Sequence, residues 1–270
     1  VVAMVVTRLV YVAATGFVVF GAVRGIAAGE GGGCYRGGRI VAELRANFPV
    51  AADVSLMILA SQIDVLLVGA LLQRDVVGIY AAGGRLVMAS TILTATITIL
   101  FVPYVVSNRN SPEVRGRQTG YLFLSVMLLG LAAFIGFCVF GPLMVRYLYG
   151  AAYADLNRYW PLFGILVWVQ FWAAGFGILL NSYARQRDRA IVQAIVLPLI
   201  ALVAWATVPQ SGIPAMIVVM IGGGVATGFG CLSCAGKAGL LDRVPRAITV
   251  AMVTMGPALL LLAAGCFAWL

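Results

Sequence analysis

Long apolar runs separated by short polar breaks fill the chain from end to end. Eight of them, at 1–23, 48–72, 78–106, 118–145, 159–183, 190–208, 212–235 and 247–270, suit a membrane crossing, because a helix needs roughly 20 apolar residues to traverse the hydrocarbon core. The pattern predicts an all-α polytopic membrane protein of about 8 transmembrane helices. Its clearest unit begins at Arg45, where Phe48 and Pro49 open a run that lasts to Leu72. Gln73-Arg74-Asp75 then breaks the chain, and Gly78-Ile79-Tyr80 starts the next run, which reads as a transmembrane hairpin.

The charges in the breaks alternate. Arg24, Arg36, Arg39 and Arg45 occupy the first and Arg74 the second, Arg109, Arg115 and Arg117 the third, and Arg146 and Arg158 the ends of the fourth. Arg185, Arg187 and Arg189 lie in the fifth, the sixth has no basic residue, and Lys237, Arg243 and Arg246 fill the seventh. Cytoplasmic loops hold the excess of Arg and Lys, so the odd breaks are expected inside. That parity places Val1 and Leu270 outside. It leads to the expectation that further spans precede Val1, with room for one after Leu270. The Gly-rich first break, AAGEGGGCYRGGR, lacks the order of a phosphate-cradling loop and reads as a flexible joint between helical bundles.

Composition agrees with lipid as the solvent: 63% of the residues are hydrophobic, 10% are charged, and the mean hydropathy is +1.05. A net charge of +9 would suggest nucleic acid in a soluble protein. Here the cations sit between spans, where they orient helices and meet anionic lipid head groups, so no nucleic-acid partner is expected. There is no His. The five Cys fall mostly inside apolar runs, and Cys231 and Cys234 read as small packing residues, so neither a metal nor another cofactor is expected.

Ionisable and amide groups inside spans are the candidate chemistry, because such groups face a bundle interior or a wet cavity. On a straight helix Asp53 and Asp64 would share a face, with Asp53 near the cytoplasmic end, where it can reach water. Asp64 lies deeper, and Arg85 on the returning helix falls at about its depth, so the two are expected to pair. Such a pair serves either as a structural bridge or as a site for a coupling ion or an anionic substrate. Arg8 in the first span is a further candidate. Thr91, Thr94 and Thr98 form a stripe that Arg85 faces away from, and hydroxyls there are expected to bond back to their own helix. Phe163, Gln170, Gly177 and Asn181 share a face of the fifth span, and a buried amide there needs a partner or water. Trp160 reads as an anchor at the membrane interface. Gly224 to Gly228 forms a close-packing GxxxG.

The order of several short motifs resembles the second half of polysaccharide-type flippases of the multidrug/oligosaccharidyl-lipid/polysaccharide exporter superfamily. They are Arg45 with Phe48-Pro49, Gln62-Ile63-Asp64 before Leu66 to Gly69, Val77 to Tyr80 before Ala81, Arg85 and Leu86, Leu148 to Tyr153, and Leu180 to Tyr183. The resemblance covers about residues 40–195. It implies two pseudo-symmetric bundles around a central cavity, with 1–23 as the last helix of the first, 24–46 as the cytoplasmic linker and 47–270 as the second.

The same resemblance implies a non-enzymatic transporter in a bacterial inner membrane. It would flip a polyprenyl-pyrophosphate-linked oligosaccharide by alternating access, with Na+ or H+ as coupling ion and contact with polymerase machinery among its partners. Arg85 and Arg8, with Gln170 and Asn181, are its expected substrate-binding residues, and Asp64 with Arg85 the ion-coupling or structural pair. A cation-coupled multidrug exporter is the nearest alternative, which Asp64 keeps open. A membrane polysaccharide polymerase or transferase is another, but the outer breaks at 73–77, 146–158 and 209–211 are short for an acceptor site.

Overall fold

The computed structural model describes residues 48, 51–107, 112–241, 244 and 246–269. The chain divides into two compact units at Phe48 and Pro49, and all described residues except Phe48 belong to the second. Among the described residues all regular structure is helical. The expected first span at 1–23, and with it Arg8, lies outside them, as does the linker at 24–46.

The run from 48 to 72 forms two helices, α1 (Ala51–Ala60) and α2 (Ile63–Leu71), bent by 42°. The bend has a local cause. Ser61 donates its hydroxyl to Ile58 O at 2.7 Å, and the Gln62 N–H bonds Leu59 O, three residues back, at 3.0 Å. A hydroxyl that competes for a helix carbonyl, together with one tightened turn, suffices to bend the axis. The straight helix that would have aligned Asp53 with Asp64 is therefore not formed.

After a short break, α3 (Arg74–Ser107) runs through Pro103, and α4 (Pro112–Leu148) begins on a proline, which lacks only an N–H that the first turn leaves unbonded anyway. Gly150, at φ 74°, closes α4, with its N–H and that of Tyr149 both bonded to Val145 O. A 3-10 turn (Ala151–Tyr153) leads to α5 (Leu156–Ser182). α6 (Gln186–Lys237) is helical on both sides of Gly212, which is not. α7 (Arg246–Trp269) comes last.

α6 is a hairpin, as its glycines reveal. Gly223 lies against Ile200 and Gly230 against Val192, so the two paired positions sum to nearly the same value, which is the register of antiparallel legs meeting at Gly212. Its φ of 66° and ψ of −144° are closed to ordinary L-residues and permit the reversal. The expected spans at 190–208 and 212–235 are the legs 186–211 and 213–237.

Among the described residues four helices, α3 to α6, are long and apolar enough to cross a membrane, and the bent pair α1–α2 makes a fifth where it is taken as one span. α5 is the centre. Of its apolar window 78% is buried, against 22% to 33% for α3, α4 and α6, and it packs on α3, α4, α6 and α7. A helix apolar on all sides can be satisfied in just such a position. Its contacts follow an antiparallel register with α4: Phe123 against Gly175, Gly130 against Phe171, Phe134 against Gly164, and Gly141 against Trp160. The expected GxxxG is realised here, since Gly224 receives Val169 and Gly228 receives Trp172. Trp160 is no interface anchor. It is 2% exposed, stacked on Phe137, and donates its indole N–H to Phe137 O.

Candidate functional site

Asp64 begins the half-helix α2, just past the bend. One carboxyl oxygen accepts the Val65 N–H at 2.8 Å, and the other accepts the Tyr80 hydroxyl at 2.9 Å. Tyr80 is fully buried in α3 and packs against Phe163 of α5 at 5.8 Å between ring centroids. The expected Asp64–Arg85 pair does not form. Tyr80 and Arg85 are five residues apart, about 140° around a helix, so the face of α3 that presents Tyr80 to Asp64 carries Arg85 away from it.

Arg85 is exposed instead. It heads a stripe on α3 that continues through Ala89, Ile92, Thr96, Ile99 and Pro103, all exposed. The opposite face holds the buried Tyr80, Val87 and Thr94. Hydroxyls of this helix bond back to it, as expected: Thr91 to Met88 O, Thr96 to Ile92 O and Thr98 to Thr94 O. Among the described residues the ion pairs are Arg185–Asp188 and Arg189–Asp53, so no described acid neutralises Arg85.

Asp53 does not reach water. It is 2% exposed, and its carboxylate accepts the Arg189 Nε–H at 2.7 Å. Arg189 also reaches Met57 Sδ at 3.5 Å and lies against Gly177 of α5, where an added Cβ would stand 3.1 Å from the guanidinium. The pair joins α1 to the start of α6 across a notch in α5. Gly177 belongs to the face expected to carry Gln170 and Asn181, so part of that face accommodates a cation. Gln170 and Asn181 are half-buried. Asn181 Oδ1 is buried without a hydrogen-bond partner, and so is Thr119 Oγ1 on α4; the α4–α5 register sets these two residues at the same height.

At the other end lies a pocket of about 670 Å³. Val76 and Ile79 of α3, Asp155, Arg158 and Tyr159 where α5 begins, and the 211–214 turn of α6 line it. These are the ends of the second, fourth and sixth breaks, which the charge alternation assigns to one side. Sequence reasoning passes over Asp155 and Tyr159, because a carboxylate and a phenol in a polar break carry no signal until the turns are brought together.

Residues 44–158 match a family model described as polysaccharide biosynthesis protein. The match takes in Asp64, Tyr80, Arg85, Asp155 and Arg158 and ends before most of α5. No curated protein and no solved structure matches the chain. The long apolar helices fit a membrane protein, and the partial family match points to a role in polysaccharide synthesis or export.

Proposed function

We propose that the protein is a membrane transporter that flips a polyprenyl-pyrophosphate-linked oligosaccharide across a bacterial inner membrane for surface polysaccharide assembly. The observation that carries this reading is the exposed Arg85. It lies eleven residues past Arg74, about 17 Å along the helix, near the middle of a hydrocarbon layer about 30 Å thick. A guanidinium at that depth is too costly to face lipid tails. The α3 stripe therefore faces a wet cavity or further helices around one, and a cation on such a wall suits the pyrophosphate of a lipid-linked sugar. The likeness of 44–158 to polysaccharide biosynthesis proteins supports that substrate class. Arg8, Gln170 and Asn181 are proposed as further substrate contacts.

Asp64 favours a second, compatible role. Its carboxyl sits at the break between two half-helices, the arrangement in which transporters hold coupling ions, so Na+ or H+ is proposed to act there. If the coupled substrate is a small molecule, the same site would serve a multidrug exporter.

The test reconstitutes the full-length protein in liposomes with a labelled polyprenyl-pyrophosphate oligosaccharide and tracks exposure of the label to an impermeant reagent. Faster exposure that falls at least tenfold in Arg85→Ala and partly returns in Arg85→Lys is expected. Exposure no faster than in protein-free liposomes, with an ion gradient present, would overturn the flippase reading.

A further inference from the structure

Arg85 is not among the residues that line the pocket between the three turns, and that wall carries mixed chemistry of its own. Its volume of about 670 Å³ lies in the range of small-ligand sites. Asp155 supplies acceptors, Arg158 donors, and the Ser211 and Tyr159 hydroxyls both. Ile213, Pro214 and the Tyr159 ring supply apolar surface beside them. Each wall is fixed from behind: Ile213 is buried, the turn is set by the reversal at Gly212, and Asp155 and Arg158 stand one turn apart, the Arg158 N–H bonded to Asp155 O at 3.2 Å.

A carboxylate and a guanidinium on one wall leave no net positive field, so the pocket is poorly suited to a phosphate. A sugar ring needs what is present, namely paired donors and acceptors for its hydroxyls and an apolar ring-sized surface for its C–H face. The turns at 73–77, 146–158 and 209–211 belong to the side assigned outside. We infer that this pocket is an outer-face saccharide subsite, which holds one or two sugar units of the glycan after they leave the membrane path. The inference rests on the flippase reading for its biological sense, but the binding it asserts does not require transport.

The experiment therefore measures binding of a soluble probe to the intact, purified protein: the oligosaccharide released by mild acid from the host's own polyprenyl-pyrophosphate carrier, monitored by saturation-transfer NMR and titration calorimetry. Saturable binding is expected, weakened tenfold or more by Tyr159→Ala and at least threefold by Asp155→Asn or Tyr159→Phe, which alter polar atoms alone and so preserve the fold. Arg85→Ala should leave this binding unchanged while it slows flipping. Absence of binding, binding indifferent to all three pocket variants, or equally strong competition by glycerol 3-phosphate as a lipid head-group mimic would each overturn the subsite. None of those results bears on flipping, and a failed flipping assay with pocket-dependent sugar binding would overturn the transport reading alone.

Discussion

Replacing Asp53 or Arg189 should destabilise the protein far more than replacing both. The two charges approach to 2.7 Å, with side chains 3% and 12% exposed. At an effective dielectric of 20 their attraction is roughly 6 kcal/mol, most of which offsets the cost of removing both ions from water. The net worth of the pair against well-packed apolar residues is therefore small. A single substitution strands one buried charge, at a cost of about 3–5 kcal/mol. Asp53→Leu leaves the guanidinium in the Gly177 notch without its carboxylate, and Arg189→Met leaves the carboxylate buried in α1. The combination Asp53→Leu with Arg189→Met removes both ions and should cost about 1–2 kcal/mol, the remainder being imperfect packing. The assay is reversible unfolding in mixed micelles with all four proteins compared at one detergent composition. Coupling below about 0.5 kcal/mol, the level of independent sites, would refute the reasoning and mean that water reaches the pair.

Three further outcomes rest on particular contacts. Gly141→Ala would place a methyl inside the Trp160 indole, which its bond to Phe137 O holds in place, so a loss of about 1–3 kcal/mol is expected; Gly136→Ala, with open space around it, should stabilise by up to about 1 kcal/mol, and equal effects in thermal unfolding would contradict the packing. Tyr80→Phe removes the hydroxyl donated to Asp64 and should cost about 1.5–3 kcal/mol, most of it recovered when Asp64→Leu is added, as denaturant titration would show. Gly212→Ala forces an L-residue to φ 66° and ψ −144°, with an expected loss of about 1–3 kcal/mol, while Gly222→Ala on the return leg, where there is open space, should be near neutral by the same titration.

The helical character was legible because a long apolar run needs no tertiary information to be recognised; the expected runs from 48 onward fall on helices of the described chain, of which four, or five with the bent pair, are long and apolar enough to cross a membrane. Helix contacts through Gly224 and Gly228 were legible for the same reason: small residues one turn apart mark close approach. Partners distant in sequence were not. Asp53 and Arg189 are 136 residues apart, and the available clue was that the charge alternation set both near the same face of the membrane. Asp64 was given the wrong partner because matching depth does not fix azimuth, and a neutral phenol gives no electrostatic signal. The bend at Ser61 was passed over because 48–72 was read as one span despite the polar Ser61-Gln62 within it, and the burial of Trp160 because an interface preference is overridden in a central helix. The outer pocket depends on three turns meeting, which no single turn encodes.

The α6 hairpin also bears on how the chain enters the membrane. Its turn offers three residues, Gln210, Ser211 and Gly212, between two apolar legs, and it is flanked by Pro209 and Pro214 with no charge among them. Very little polar chain has to be carried across the bilayer, which favours entry of the two legs as one unit over entry one at a time. The packing of Gly223 on Ile200 and of Gly230 on Val192 would then form as the pair enters the bilayer, with Arg185, Arg187 and Arg189 together at the near end.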